Sequence, residues 1–222
     1  MKSLLIRVCS LFGLVSSVVA QTWMSPGPSG SWYGLASSAD GSKLVAVGYS
    51  GIYTSTNSGT AWTQSTNAPN LSWVSVASSA DGNTLAAVSR SWPIYTSTNG
   101  GAVWMQSDSL NTIWAAIASS ADGTRMVAVQ GYPGQGSIYT SADSGMTWSV
   151  NNSPSLFWDG VASSADGTKL VAVSHSGEIF TCIDPGGNWY AQLAPFLTWT
   201  SVASSADGTK LVAVAYGGGI YT

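Results

Sequence analysis

Three observations predict an all-β fold, a five-bladed β-propeller of four-stranded blades. The six residues Ala-Ser-Ser-Ala-Asp-Gly occur five times, and the copies lie 41, 41, 44 and 41 residues apart. Each copy is followed by a Val-rich run, typical of a strand covered on both faces. A period near forty with four short strands per unit is typical of propeller blades. The copies begin at Ala36, Ala77, Ala118, Ala162 and Ala203.

Each repeat unit has the same order of elements. An inner strand begins at a Trp four residues before the six-residue block and is rich in Ala and Ser, which suits the crowded axis of a propeller. Ala-Asp-Gly then predicts a tight turn, because Gly accepts positive φ and Asp can bond the turn's own backbone. Second and third strands follow, as at 43–47 and 52–54 in the first unit. We expect the inner tryptophans to lie in the core: Trp32, Trp73, Trp114, Trp158 and Trp199.

The turn before the fourth strand carries a resemblance to a known repeat. In the first unit it reads Ser-Thr-Asn-Ser-Gly-Thr-Ala-Trp over residues 55–62, and copies end at Trp104, Trp148 and Trp189. It resembles the Asp-box, or bacterial neuraminidase repeat, Ser-x-Asp-x-Gly-x-x-Trp. The sequence departs from that pattern at positions 57 and 99, where Asn replaces Asp, and at Cys182, which replaces Ser. The resemblance implies a sialidase-like propeller fold, and it implies no activity, because such turns resemble structural staples of enzymes and non-enzymes alike.

The N-terminal residues predict export and closure of the ring. Residues 1–20 combine Lys2 and Arg7 with an apolar run and small residues, as in a secretory signal peptide. We therefore expect a secreted protein whose residues 21–222 form one propeller domain. Because the fifth unit ends after its third strand, we expect residues 21–26, with Trp23, to complete the last blade and seal the ring. The alternative is a truncated copy that has lost further blades.

Composition excludes several classes of function. Charged residues make up 8% of the chain, and five of its seven Lys and Arg lie beyond the signal peptide. Nucleic acid is therefore not an expected partner, because phosphate backbones need clustered positive charge. No later segment is long and apolar enough for membrane insertion, and no residue spacing suggests a metal site or another cofactor. We expect a monomer, with Cys182 as an incidental thiol and the five repeated Asp as turn formers.

Variation between the units concentrates on the loops that join the second and third strands. These loops and the blade links share one face, where a repeated scaffold is expected to carry a site. Every blade offers a planar group there, and such groups stack on sugar rings or on peptide aromatics. The alternative is that these loop residues only pack on their neighbours. The candidate ligand-binding residues are Tyr49, Arg90, Trp92, Tyr132, His175, Glu178 and Tyr216.

The residues favour binding over catalysis. Sialidases resemble one another in a clamp of three Arg around the substrate carboxylate, and only Arg90 and Arg125 lie beyond the signal peptide here. A glycosidase needs two carboxyl groups about 5–10 Å apart, and Asp159 with Glu178 is the one candidate pair. We therefore expect a non-catalytic, lectin-like propeller that binds glycan or an extracellular protein. The alternatives are a glycoside hydrolase that uses Asp159 and Glu178, and a purely structural surface protein.

Overall fold

The computed structural model describes residues 25–222, which form nineteen strands in five antiparallel sheets and contain no helix. The inner strands are Trp32–Ser37 (β1), Trp73–Ser78 (β5), Trp114–Ser119 (β9), Trp158–Ser163 (β13) and Trp199–Ser204 (β17). The second strands are Leu44–Gly48 (β2), Leu85–Ser89 (β6), Met126–Gln130 (β10), Leu170–Ser174 (β14) and Leu211–Ala215 (β18). The third strands are Gly51–Ser55 (β3), Tyr95–Ser97 (β7), Ile138–Ser141 (β11), Ile179–Cys182 (β15) and Ile220–Tyr221 (β19). The outer strands are Thr63–Gln64 (β4), Met105–Gln106 (β8), Ser149–Val150 (β12) and Tyr190–Ala191 (β16).

Each sheet is an antiparallel meander in chain order, which confirms the predicted five-bladed, all-β fold. Strand direction alternates, so the connections fall on two opposite faces. The turn face carries the Ala-Asp-Gly turns and the turns between third and outer strands. The rim face carries the loops between second and third strands and the links from one blade to the next.

The hydrophobic core lies between successive blades. In the first interface, Val45, Val47 and Ile52 of blade 1 pack against Trp73 and Leu85 of blade 2. Alternate residues of a second strand face opposite neighbours, because side chains alternate across a strand. The same pattern recurs at the next three interfaces, giving four inter-blade clusters in residues 25–222.

The inner tryptophans form the centre of these clusters, as predicted. Trp73, Trp114, Trp158 and Trp199 are fully buried, whereas Trp32 in the first blade is half-buried. Each inner Trp meets the aromatic ring of its own third strand edge to face, with ring centroids 5.1–5.6 Å apart. This geometry is the favoured one for aromatic pairs. The pairs are Trp32–Tyr53, Trp73–Tyr95, Trp114–Tyr139, Trp158–Phe180 and Trp199–Tyr221.

A series of backbone hydrogen bonds joins the blades on the turn face. The N–H of the Ala in each Ala-Asp-Gly turn donates to the carbonyl of the equivalent Ala in the next blade, at 2.7–2.8 Å. Four such bonds connect five turns in sequence. They run from Ala39 through Ala80, Ala121 and Ala165 to Ala206.

The repeated Asp residues hold these turns together internally, as predicted. In blade 1 the Ser38 hydroxyl and the Ser42 N–H donate to Asp40 Oδ1 at 2.6 and 3.0 Å. These hydrogen bonds lower the pKa of Asp40 to about 2. Equivalent donors lower the pKa of Asp166 and Asp207 to about 2 as well.

The turns before the outer strands share one geometry in three blades and differ in the fourth. In blade 1, the Gly59 N–H donates to Ser55 Oγ and the Ala61 N–H donates to Asn57 Oδ1, both at 2.9 Å. Ser58 has a φ of 56° there, and Gly100 and Ser144 take similar positive values in blades 2 and 3. Pro185 stands at this position in blade 4 and cannot adopt positive φ. That turn matches the repeat in sequence and keeps the backbone bond of the other turns, from the Gly187 N–H to the Asp184 carbonyl at 2.7 Å. It differs at its first residue, because the Cys182 thiol donates to the Asp184 backbone carbonyl at 3.1 Å, whereas Ser55 donates to the side chain of Asn57.

The first and last blades do not pack against each other in the described structure. Inner strands of consecutive blades pack together, whereas β1 and β17 do not form such a contact. Residues 25–222 therefore form an open arc of five blades. The sequence predicts that residues 21–26 complete the last blade and seal the ring, but in the described residues the last sheet has only the strands β17–β19 and the ring is not sealed. Residues 21–24 lie outside the described residues. Ser25 and Pro26 line a groove with Trp62 of blade 1.

Replacing Trp158 by Phe should destabilise the fold more than replacing Trp114 by Phe. Trp158 Nε1 donates to the Gly136 carbonyl at 2.9 Å, whereas Trp114 Nε1 is buried and has no hydrogen-bond partner among residues 25–222. Both variants lose similar aromatic area, so the difference reports the hydrogen bond, about 1 kcal/mol in the free energy of unfolding. Urea unfolding measures it, and equal losses in the two variants would contradict the hydrogen-bond assignment.

The turn carboxylates should make the fold sensitive to acid. Hydrogen bonds from the Ser164 hydroxyl, the Thr168 N–H and the Thr168 hydroxyl lower the pKa of Asp166 to about 2, against roughly 3.9 in an unfolded chain. The resulting stabilisation is present above about pH 4 and is lost as pH falls toward 2. Asp166→Asn should therefore lower Tm at pH 7 and make its dependence on pH between 5 and 2 shallower. Thermal unfolding followed by circular dichroism measures both, and parallel pH curves would contradict this role.

Candidate functional site

Each inner strand carries a β-bulge at the rim face. In all five blades the pairing with the second strand skips the residue that follows the inner Trp. A bulge redirects the side chain of its extra residue and is common next to functional sites. The bulged residues are Tyr33, Val74, Ala115, Asp159 and Thr200.

A second residue stands beside each bulge, sixteen positions further along the chain. It is the first residue after the second strand, and its N–H donates to the carbonyl of the residue before the inner Trp at 2.7–3.3 Å. This bond fixes the start of every rim loop in the same place. The five residues are Tyr49, Arg90, Gly131, His175 and Tyr216. Four of them are predicted site residues, and the sequence placed them all on this face.

These rim pairs differ in chemistry from blade to blade. In blade 1 the rings of Tyr33 and Tyr49 lie 4.8 Å apart at 53°, and the Tyr49 hydroxyl raises the pKa of Tyr33. In blade 4, His175 Nδ1 lies 2.9 Å from Asp159 Oδ2. Blade 3 has only Ala115 and Gly131, and a Cβ at Gly131 would lie 2.7 Å from the Ala115 Cβ. The rim pair of blade 3 therefore leaves a gap between the larger rim pairs of its neighbours. We call this gap, at Ala115 and Gly131, the notch.

Two adjoining grooves run along the rim pairs. The first encloses about 450 Å³ above the notch, and its lining includes Arg90, Tyr132, Asp159 and His175. The second encloses about 600 Å³, and its lining includes Asp159, His175 and Tyr216. Because they share the His175–Asp159 pair, the grooves form one path from blade 2 to blade 5. Tyr132 and Tyr216, 70% and 82% exposed, leave much of their ring surface free for a ligand.

The other predicted site residues lie apart from this path. Tyr49 lines a different groove of about 360 Å³ together with Gln64 and Pro69. Trp92 is half exposed, and it is not among the residues that line the two adjoining grooves. The carboxylate of Glu178 accepts from Ser174 Oγ at 2.9 Å and likewise does not line them. The structure therefore brings together Arg90, Tyr132, His175 and Tyr216.

Sequence reasoning missed the bulged partners of the rim residues. Asp159 was considered only as a catalytic carboxylate, and Tyr33 and Thr200 were not considered. A signal was present, since the residue after a constant Trp differs in every unit. Variation beside a constant anchor is what a bulge permits, because the anchor holds the strand while the extra residue stays free of the ladder.

Clusters of metal-ligating side chains and long apolar helices would indicate a metal site or a membrane span. In residues 25–222 no three His, Cys, Asp or Glu side chains group as a metal site requires. The same range has no helix with the length and apolarity needed to cross a bilayer. The chemistry at the rim is therefore that of aromatic rings, hydroxyl groups, one guanidinium and one imidazole–carboxylate pair.

Comparison with known proteins supports the fold. No protein-family model matches the sequence, and no curated protein sequence matches it. A GH74 enzyme from Niastella koreensis is similar in structure, with a TM-score of 0.69 and 17% identity over 85% of this chain and 36% of that one. A structure titled as a nidogen/laminin complex gives 0.67 and 16%, covering 84% and 72%. YCF48 bound to D1 peptide gives 0.62 and 21%, covering 86% and 63%. The chain thus spans about a third of the length of the GH74 enzyme.

The notch predicts a specific steric conflict. Gly131→Ala should lower the free energy of unfolding by roughly 1–3 kcal/mol, as overpacking does, because the new Cβ would lie 2.7 Å from the Ala115 Cβ. Adding Ala115→Gly should restore much of that loss. Gly134→Ala in the same loop is a matched control, since a Cβ there would meet no heavy atom within 4 Å. Urea unfolding of the four proteins measures the effect, and a stable Gly131→Ala variant would contradict the close contact.

Proposed function

We propose that this protein is a secreted, non-catalytic propeller that binds an extended, mainly uncharged glycan across its rim face. The observation that carries the proposal is the path of two adjoining grooves, whose lining residues include Arg90, Tyr132, His175 and Tyr216. The Asp-box relationship and export are parts of the same proposal. The turn geometry in three blades supports the first, and the leader-like residues 1–20 support the second.

The shape of the site favours a chain over a compact molecule. The two grooves run along blades 2 to 5, and each of these four blades contributes one or two contact groups. A polymer can meet several such groups at once, and linked weak contacts raise avidity without a strong single contact. The notch at Gly131 gives the ligand one place to approach the inner strands.

The chemistry of the site favours sugar rings with few charges. The exposed faces of Tyr132 and Tyr216 offer flat apolar surface for stacking. Arg90 supplies donors, and the His175–Asp159 pair supplies both donors and acceptors for hydroxyl groups. Charged residues are scarce in the whole chain, so long-range attraction to a charged ligand is weak.

A segment of an extracellular protein is the second candidate ligand. It is favoured by two structures of the same fold, YCF48 bound to D1 peptide and the nidogen/laminin complex. Planar groups such as those at this rim also stack on peptide aromatics. The groove dimensions suit either polymer.

Hydrolysis by Asp159 and Glu178 is a weaker candidate, despite the similarity to GH74 enzymes. Asp159 faces both grooves, but it is already engaged by His175 at 2.9 Å. Glu178 is engaged by Ser174 and lines neither groove, so the two carboxylates do not face one ligand position. Turnover of aryl glycosides that is lost in Glu178→Gln would reverse this assignment.

The proposal is tested by screening the purified chain on a glycan array and a peptide array. Tyr132→Ala and Tyr216→Ala should each weaken binding about tenfold or more, as loss of an aromatic contact worth about 1.4 kcal/mol does. Tyr190→Ala is a matched control, because Tyr190 is exposed on the outer strand β16, away from the grooves. Tyr49→Ala should have a smaller effect, since Tyr49 lines a separate groove.

The outcomes separate the candidates. Glycan binding that is lost in the two rim variants and kept in Tyr190→Ala supports the proposal. Peptide binding with the same pattern of losses would identify a protein segment, and not a glycan, as the ligand of this site. Binding that is unaffected by Tyr132→Ala and Tyr216→Ala would place the site elsewhere, and no binding on either array would favour a purely structural role.

A further inference from the structure

Within residues 25–222, the open arc leaves one blade face uncovered at each end. The leading face belongs to blade 1 and consists of Trp32, Leu35, Ala46 and Tyr53. The trailing face belongs to blade 5 and consists of Val212, Val214 and Ile220. At each of the four interfaces inside the arc, the trailing face of one blade packs against the leading face of the next, and these contacts form the hydrophobic core. Each end therefore presents one half of an interface that the chain already uses.

Side chains on the two end faces are far more exposed than the equivalent side chains of interior blades. On the leading face, Leu35 is 81% exposed, whereas Val76 at the same position of blade 2 is 6% exposed. On the trailing face, Ile220 is 76% exposed, whereas Ile138 at the same position of blade 3 is fully buried. Clustered apolar groups of this kind mark interaction sites on soluble proteins.

On the turn face, the series of backbone hydrogen bonds between blades also stops at both ends. Ala206 lacks the acceptor that Ala39, Ala80, Ala121 and Ala165 find in the next blade, and no residue of 25–222 donates to the Ala39 carbonyl. The glycines of the Ala-Asp-Gly turns show the same difference between the first blade and the second. A Cβ on Gly82 would meet the Lys43 side chain of the preceding blade at 2.8 Å, whereas a Cβ on Gly41 would meet no heavy atom within 4 Å. Among residues 25–222, blade 1 therefore lacks a preceding blade at Ala39 and Gly41, and blade 5 lacks a following blade at Ala206.

We propose that the trailing face of one copy of this chain binds the leading face of a second copy, head to tail. The occupant follows from the four internal interfaces, because each free end fits a blade of this repeat and the chain supplies both halves. The groove over the leading face encloses about 670 Å³, and no charged side chain lines it, as for the internal interfaces. The chain's own last blade does not cover it, since β1 and β17 do not pack together.

The two halves of this contact are different surfaces, so the interface is heterologous. Such contacts build a closed ring when the rotation between copies closes, and an open chain when it does not. The contact uses the blade ends and leaves the rim grooves free, so it is independent of the proposed ligand site.

Complementation between two end variants tests the proposal with the purified full chain. Light scattering after gel filtration should give the wild type a mass of two or more chains that rises with concentration. Leu35→Glu places a carboxylate on the leading face, and Val212→Glu places one on the trailing face. Each variant alone should be a monomer, because burying an unpaired charge opposes the contact. An equimolar mixture should form a species of two chains, because one variant keeps each half of the interface.

A matched control and the contrary results are equally defined. Val150→Glu changes an exposed valine on β12 of blade 3, outside both end faces, and should assemble like the wild type. Circular dichroism checks that all variants fold. A wild type that stays monomeric at every concentration, end variants that assemble as the wild type does, or a mixture that stays monomeric would each overturn the proposal.

Discussion

The backbone hydrogen bond between neighbouring Ala-Asp-Gly turns sets the arrangement of the blades. It joins equivalent alanines at 2.7–2.8 Å, so every blade is held at the same height and orientation relative to the next. Ala and Ser on the inner strands keep that approach possible, because larger side chains would separate the backbones. The carboxylate of each turn fixes the loop that makes the bond. The turn face is therefore the constant side of the molecule, and the rim face is free to differ between blades.

This division explains how the rim can vary without loss of the fold. The inner Trp and the bond from each rim N–H to the residue before that Trp place every loop in one position. Side chains beyond that anchor contribute little to the inter-blade core. Blade 3 can thus carry Ala115 and Gly131 where blade 4 carries Asp159 and His175. The notch and the imidazole–carboxylate pair are local differences on a common scaffold.

Much of the fold follows directly from the repeated residues. The tryptophan at each inner strand, the Gly of each turn and the Val-rich second strands predict the meander, the two faces and the core. The open arc could not be predicted in this way, because the angle between blades depends on the packing of whole interfaces and is absent from any single unit. The different turn at Pro185 could be inferred only once the backbone showed positive φ at the equivalent Ser58.

The candidate site was predictable in part for a similar reason. Tyr49, Arg90, His175 and Tyr216 lie at equivalent positions of the repeat, so their common face follows from strand order. Which of them share a groove depends on loop shape, and this separated Tyr49 and Trp92 from Arg90 and His175. The partner of His175 was missed, because the bulge that turns Asp159 toward it breaks the regular alternation of the strand.

The bulge after each inner Trp has a consequence for how such a protein can change over generations. Two positions per blade, ten in all, lie at the rim outside the regular strand pairing. Except at Gly131, where an added Cβ would lie 2.7 Å from the Ala115 Cβ, changes at these positions alter the rim surface without disturbing the regular strand pairing. After a duplication, daughter genes can therefore acquire a new rim surface one blade at a time, each step starting from a protein that still folds.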